Sequence, residues 1–115
     1  KLNMAIKDSA RIEHIIEAVT EAISFLGDKS LEDLYTDRKL VLALMKEIEI
    51  VGEAASKLSK RLKAINPHIP WIQIVGMRNR LIHVYFDIDF EAIWNTVKYD
   101  LPPLLEEMKK INAEN

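Results

Sequence analysis

Residues that could act together on a phosphodiester fall in one short run, Arg78-Asn79-Arg80-Leu81-Ile82-His83-Val84-Tyr85. A guanidinium meets phosphate oxygens with parallel N–H donors and keeps its charge at any working pH. An imidazole titrating near neutrality can take or give the proton that a displacement at phosphorus requires. Asn79 could orient that imidazole, and Tyr85 adds a phenol. Such a set could cleave a phosphodiester without a metal ion. Metal ligation is a poor reading of the chain: it has no cysteine, and its three histidines show neither H-x3-H nor H-E-x2-H spacing. Asp87 and Asp89 suit turn and capping chemistry better. No metal and no cofactor are expected. The spacing alone is weak, because Arg61 and His68 repeat it loosely across a proline break. A structural polar pair at a helix contact is its direct competitor.

The elements that carry these residues decide whether they can converge. The run Trp71 to Val84 or Tyr85 is predicted to be one helix, with Pro70 in its first turn. On an ideal helix Asn79 and His83 lie about 40° apart, but Arg78 and His83 lie about 140° apart. Three solutions remain: the long Arg arm wraps round, the helix end departs from ideality, or two copies of the motif meet across a dimer. The breadth of the apolar face on the preceding helix favours the dimer.

Helical periodicity extends over most of the chain. Ile12, Ile15, Ile16, Val19, Ile23 and Leu26 form one stripe of a helix from about Lys7 to Leu26, ended by Gly27. Ser30-Leu31-Glu32-Asp33 signals a short helical turn, and Thr36 or Asp37 can cap a long second helix. That helix is expected to reach about Lys63, with Leu40, Leu44, Ile48, Val51, Ala55, Leu58 and Leu62 along one face. Val41, Met45, Ile50 and Ala54 widen the face beyond the ~100° that a surface helix needs. Gly52 lies inside it, at a cost of ~1 kcal/mol relative to alanine unless a close contact requires it. Asn66-Pro67-His68-Ile69-Pro70 breaks the chain. Asp89 is expected to cap a helix from Phe90 to Lys98, and Asp100 to cap a last one ending near Ile111. Trp71, Phe90 and Trp94 fit core anchors better than base-stacking platforms.

These elements predict an all-α fold. It is an antiparallel up-and-down four-helix bundle with an additional short terminal helix, one domain over residues 1–115, and dimeric. With 49% hydrophobic and 30% charged residues in a chain of 115, a single packed core is within reach. No apolar run approaches the ~20 residues of a bilayer span. The lack of cysteine fits a cytoplasmic location.

A net charge of −2 speaks against an electrostatic nucleic-acid binder when taken whole. Its distribution speaks the other way. Residues 54–86 contain no acid, while Lys57, Lys60, Arg61, Lys63, Arg78 and Arg80 lie among them. Arg80 and the four charges from Lys57 to Lys63 are therefore candidate contacts to an anion such as a nucleic-acid phosphate. A merely solvated helix face is the plainer reading of the latter four.

Gly76-Met77-Arg78-Asn79-Arg80-Leu81-Ile82-His83-Val84-Tyr85-Phe86, with Asp89, Trp94 and Asp100-Leu101-Pro102-Pro103-Leu104, resembles the HepT branch of the HEPN superfamily. Ile50-Val51-Gly52-Glu53-Ala54-Ala55 and Arg11-Ile12-Glu13-His14-Ile15 extend the resemblance over nearly the whole chain. It implies a dimeric, metal-independent endoribonuclease, the toxin half of a toxin–antitoxin pair, with a minimal nucleotidyltransferase as antitoxin. Carried onto this chain, Arg78 and His83 would be the catalytic pair, Asn79 their support, and Tyr85 the residue that receives AMP. A different class of function stays open beside it: a non-catalytic helical partner that docks a nucleotidyltransferase.

Overall fold

In the computed structural model, residues 5–82 and 87–114 are described, and among them the protein is all-α. Helix α1 spans Ile6–Leu26 and α3 spans Arg38–Ser56, with the short α2, Leu31–Thr36, between them. The expected stripe on α1 is the buried one: Ile12, Ile15, Val19 and Leu26 are enclosed, and Ile16 and Ile23 are half-buried. Gly27 ends α1 at φ +53°, a conformation that disfavours any residue with a Cβ. Ser30 starts α2 with a reciprocal capping box to Asp33. Asp37, rather than Thr36, caps α3 by accepting from the Leu40 N–H at 3.1 Å.

The helices run antiparallel, as contacts between their ends show. The start of α1 meets the end of α3, where Asp8 accepts from Ser59 N–H at 2.9 Å and from its hydroxyl at 2.5 Å. The end of α7, Leu101–Glu114, returns to the start of α1 through Asn112 and Glu13. Helix α1 packs against both α3 and α7, and the core lies along these two seams.

Three expected boundaries shift, each for a physical reason. The second long helix stops at Ser56 instead of continuing to Lys63. Asp8 and Arg11 of α1 bind the backbone at Ser59 and at the Lys57 carbonyl, and Ser59 caps a separate helix α4, Lys60–Ile65. The third predicted helix contracts to α5, Trp71–Val75, followed by a 3-10 turn, Met77–Arg80. Beyond it Ile82 pairs with Ile88 in an isolated antiparallel bridge, and the Asp89 N–H donates to the Leu81 carbonyl at 2.7 Å. At the C-terminal end, Asp89 caps α6, Phe90–Asn95, by accepting from Ala92 N–H. Asp100 caps nothing. It ends a π turn, Thr96–Asp100, that joins α6 to α7 without interruption. Pro102 and Pro103 cannot donate to the carbonyls a turn earlier and would crowd them, so the widened turn absorbs their rings.

The fourth leg of the bundle is thus a chain of short pieces, α4, α5 and the 3-10 turn. Among the described residues no helix is long and apolar enough to cross a membrane.

Candidate active site

The 3-10 turn that carries Arg78 and Asn79 is seated on α3 at Gly52. A Cβ built on Gly52 would meet the Val75 carbonyl oxygen at 3.2 Å and that of Ile74 at 3.6 Å. Glycine is thus needed for the close approach of α5, which offsets its low helix propensity. Met77 and Leu81 anchor the same turn by burial, while Arg78, Asn79 and Arg80 are exposed.

Arg78 reaches across to Glu49 of α3, donating from Nε to Oε2 at 3.0 Å. The other oxygen of Glu49 accepts from the Lys46 ammonium at 3.3 Å. These two cations, Arg78 first, hold the Glu49 carboxyl below the usual carboxylate range. Arg78 and Asn79 share a cleft of about 310 Å³ with Glu49, Gly52, Glu53, Ser56 and Val75. Along the α1–α3 seam, Glu49 and Glu53 also border a cavity of about 530 Å³ lined by Lys7, Arg11, His14, Lys46 and Lys57.

The other candidates separate in space. Arg80 opens into a separate cavity of about 530 Å³ with His68, Tyr99, Asp100 and Glu107 around a floor of Ile74, Met77 and Leu104. Lys57 is paired with Glu53 at 3.1 Å. Lys60 and Arg61 are exposed on α4 and Lys63 is half-buried there, away from the Arg78 cleft. His83 and Tyr85 lie outside the described residues. The ideal-helix angles between Asn79, Arg78 and His83 do not apply, since the helix ends at Val75. From Met77 to Arg80 the run is a 3-10 turn and not a continuation of α5.

The tryptophans anchor, as expected. Trp71 Nε1 donates to the Asn66 carbonyl at 3.0 Å, and Trp94 Nε1 to that of Lys29 at 3.1 Å. Phe90 packs on the Tyr35 ring at 4.7 Å between centroids. Among the described residues no cluster of three or more His, Asp or Glu side chains could hold a metal ion.

Glu49, Asp8 and Tyr99 were not legible as site or support residues. Each depends on a partner 29 or more positions away or on the π turn. Only the exception of a glycine within an apolar helix, three residues after Glu49, pointed to that face.

The ribonuclease HepT-like family model matches residues 15–111. The chain belongs to this enzyme family. It is 36% identical to the probable ribonuclease HepT of Thermococcus cleftensis, over 87% of this chain and 91% of that one. A candidate RNase of Methanocaldococcus jannaschii is 34% identical over 84% of each chain. One of Caldanaerobacter subterraneus is 35% identical over 87% of this chain and 89% of its own. No solved structure matches the chain.

Proposed function

We propose that the chain is a metal-independent endoribonuclease whose reaction centre is built on the 3-10 turn and the residues that follow it. The observation that carries this reading is the exposed Arg78–Asn79 pair, fixed against α3 by Gly52 and opening on a cleft, in a member of the ribonuclease HepT-like family. His83 takes the proton from a ribose 2′-hydroxyl, and the 2′-oxygen attacks the adjacent phosphorus. The P–O5′ bond breaks, leaving a 2′,3′-cyclic phosphate and a 5′-hydroxyl that gains a proton. Arg78 stabilises the charge that builds on the non-bridging oxygens, and Asn79 supports the pair.

A second copy of the chain completes the enzyme in this reading. Ile72 is 86% exposed and Val75 is 38% exposed, an apolar patch beside the Arg78 cleft. In the toxin–antitoxin reading, a cytoplasmic nucleotidyltransferase moves AMP from ATP to the Tyr85 hydroxyl, releasing pyrophosphate. The added bulk and negative charge then oppose RNA binding.

Purified chain incubated with RNA and a chelator should cleave it, and His83→Ala and Arg78→Ala should each lower the rate by about 10² or more. Equal cleavage by wild type and both variants would assign the activity to a contaminant. No cleavage by wild type, together with tight binding of a nucleotidyltransferase, would favour the non-catalytic partner.

A further inference from the structure

Glu49 stands one turn before Gly52 on the face of α3 that receives the 3-10 turn. We propose that Glu49 is a positioning residue for Arg78: it grips the guanidinium by its Nε edge and leaves the terminal nitrogens to a substrate phosphodiester. This rests on the ribonuclease reading above and assigns that site a residue from a different helix.

Three features of the geometry argue for it. First, a guanidinium has two binding edges, and a carboxylate that took both terminal nitrogens would compete with phosphate. Here the contact is through Nε, at 3.0 Å, and through one carboxylate oxygen only. The other oxygen is turned to Lys46. Second, the charges of Lys46, Glu49 and Arg78 sum to +1. The tether therefore fixes the arginine without cancelling the charge that phosphate needs. Third, the same helical face holds both ends of the arm. Gly52 sets the backbone of the turn by its contact with the Val75 carbonyl, and Glu49 sets the guanidinium. An exposed arginine otherwise samples many rotamers, and holding it in one lowers the ordering cost in the transition state. Because Glu49 is shifted below the usual range, it stays ionised wherever an imidazole near neutrality titrates.

Both side chains are substantially exposed, 58% for Arg78 and 43% for Glu49. Such pairs contribute little to folding, so Glu49→Gln should fold with its melting temperature essentially unchanged. In that variant kcat should fall by about tenfold, with Glu49→Asp recovering part of the loss. A kcat equal to or above that of the wild type would overturn the proposal, the latter by making Glu49 a competitor of phosphate.

The tether has a readout that needs no activity. The Nε–Hε resonance of Arg78 in 1H–15N spectra, assigned with Arg78→Lys, should be shifted and protected from exchange in wild type and lose both properties in Glu49→Gln. Titration with a short 2′-deoxy-substituted RNA should perturb that residue at lower concentration in wild type than in Glu49→Gln. An unchanged resonance, or equal titrations, would overturn the proposal. If wild type does not cleave RNA, the ribonuclease reading falls, and these two spectra still decide whether Glu49 presents Arg78 to phosphate.

Discussion

Two halves of the molecule are built by different physics. In α1, α3 and α7 apolar spacing does the work: Ile12, Ile15, Val19, Leu44, Ile48, Val51 and Met108 are enclosed and the helices are long. From Lys57 to Asp100 the chain is cut into α4, α5, a 3-10 turn, α6 and a π turn. There each boundary has a polar or steric cause: Ser59 under Asp8, Val75 on Gly52, Asp89 at its cap, and the pair of prolines. The difference teaches where chemistry can be placed. A regular helix fixes side chains on one stripe in advance, whereas a segment held by individual contacts can aim neighbouring side chains at different clefts, as Arg78 and Arg80 are aimed.

The largest effect expected from breaking this contrast lies inside the regular half. Glu47 of α3 is only 5% exposed. Burial, and then the carboxyls of Glu21 and Glu17 on α1, push its pKa up to about 7. A carboxyl with a folded pKa above its unfolded one favours the fold while protonated in both states. That stability is complete below about pH 4.5 and drains away as pH rises through about 7, by up to about 3 kcal/mol. Denaturant melts of wild type should weaken across that window, and Glu47→Gln should flatten the dependence. A flat wild-type profile would refute the assignment.

Next comes the joint between the halves. Asp8 is 4% exposed and accepts both donors of Ser59. Asp8→Asn keeps the volume but turns a donor toward one of them, and Asp8→Ala leaves the Ser59 N–H without its acceptor. Loss of about 2 kcal/mol is expected for Asp8→Ala by chemical denaturation. If α4 is merely a continuation of α3, the substitution will cost almost nothing.

What was legible in the sequence follows the same division. The α1 stripe, Gly27, the Ser30 box and the Asp37 and Asp89 caps were all readable, because each signal acts within four residues. The end of α3 was not. Leu58 and Leu62 continue the apolar stripe in register and are buried, so periodicity ran straight across a break imposed by α1. The π turn hid for a related reason, since Asp100 before two prolines looks like an ordinary cap. The charge pattern shows how sequence and surface differ. Residues 54–86 lack acids, yet Arg78 and His68 are faced by Glu49 and Glu107 from other elements, and Lys57 by Glu53 one turn earlier. At these three residues the acids come from outside the acid-free stretch. Of the candidate cleft, Arg78 and Asn79 were singled out by type and spacing, while the Glu49 contact required the fold.

A comparable effect is expected at Gly52, where the halves touch. Gly52→Ala should gain about 1 kcal/mol of helix propensity, but its Cβ would sit 3.2 Å from the Val75 oxygen, a backbone atom that cannot rotate away. Gly52→Val, with two further carbons at that contact, should cost about 2 kcal/mol. It should also displace Arg78 from Glu49, so RNA cleavage should fall more steeply than stability. A variant that loses stability and activity in proportion would make Gly52 a packing residue only.

The smallest effects sharpen the contrast most directly, because the same substitution can be made in each half. Asp37 caps α3 and Asp89 caps α6, and each accepts from the N–H three residues on, at 3.1 and 2.9 Å. Removing either side chain as Asp→Ala should cost about 1 kcal/mol. The consequences should then diverge. The Asp37 cap begins a helix whose position is set by its buried stripe, so activity should follow stability alone. The N–H of Asp89 is bonded to the Leu81 carbonyl, and Ile88 is bridged to Ile82, the residue immediately before His83. Loosening that cap loosens the bridge beside the proposed catalytic residue His83. Asp89→Ala should therefore lower kcat several-fold beyond Asp37→Ala at equal stability. Equal kcat values in the two variants would show that the irregular half holds its geometry without this cap.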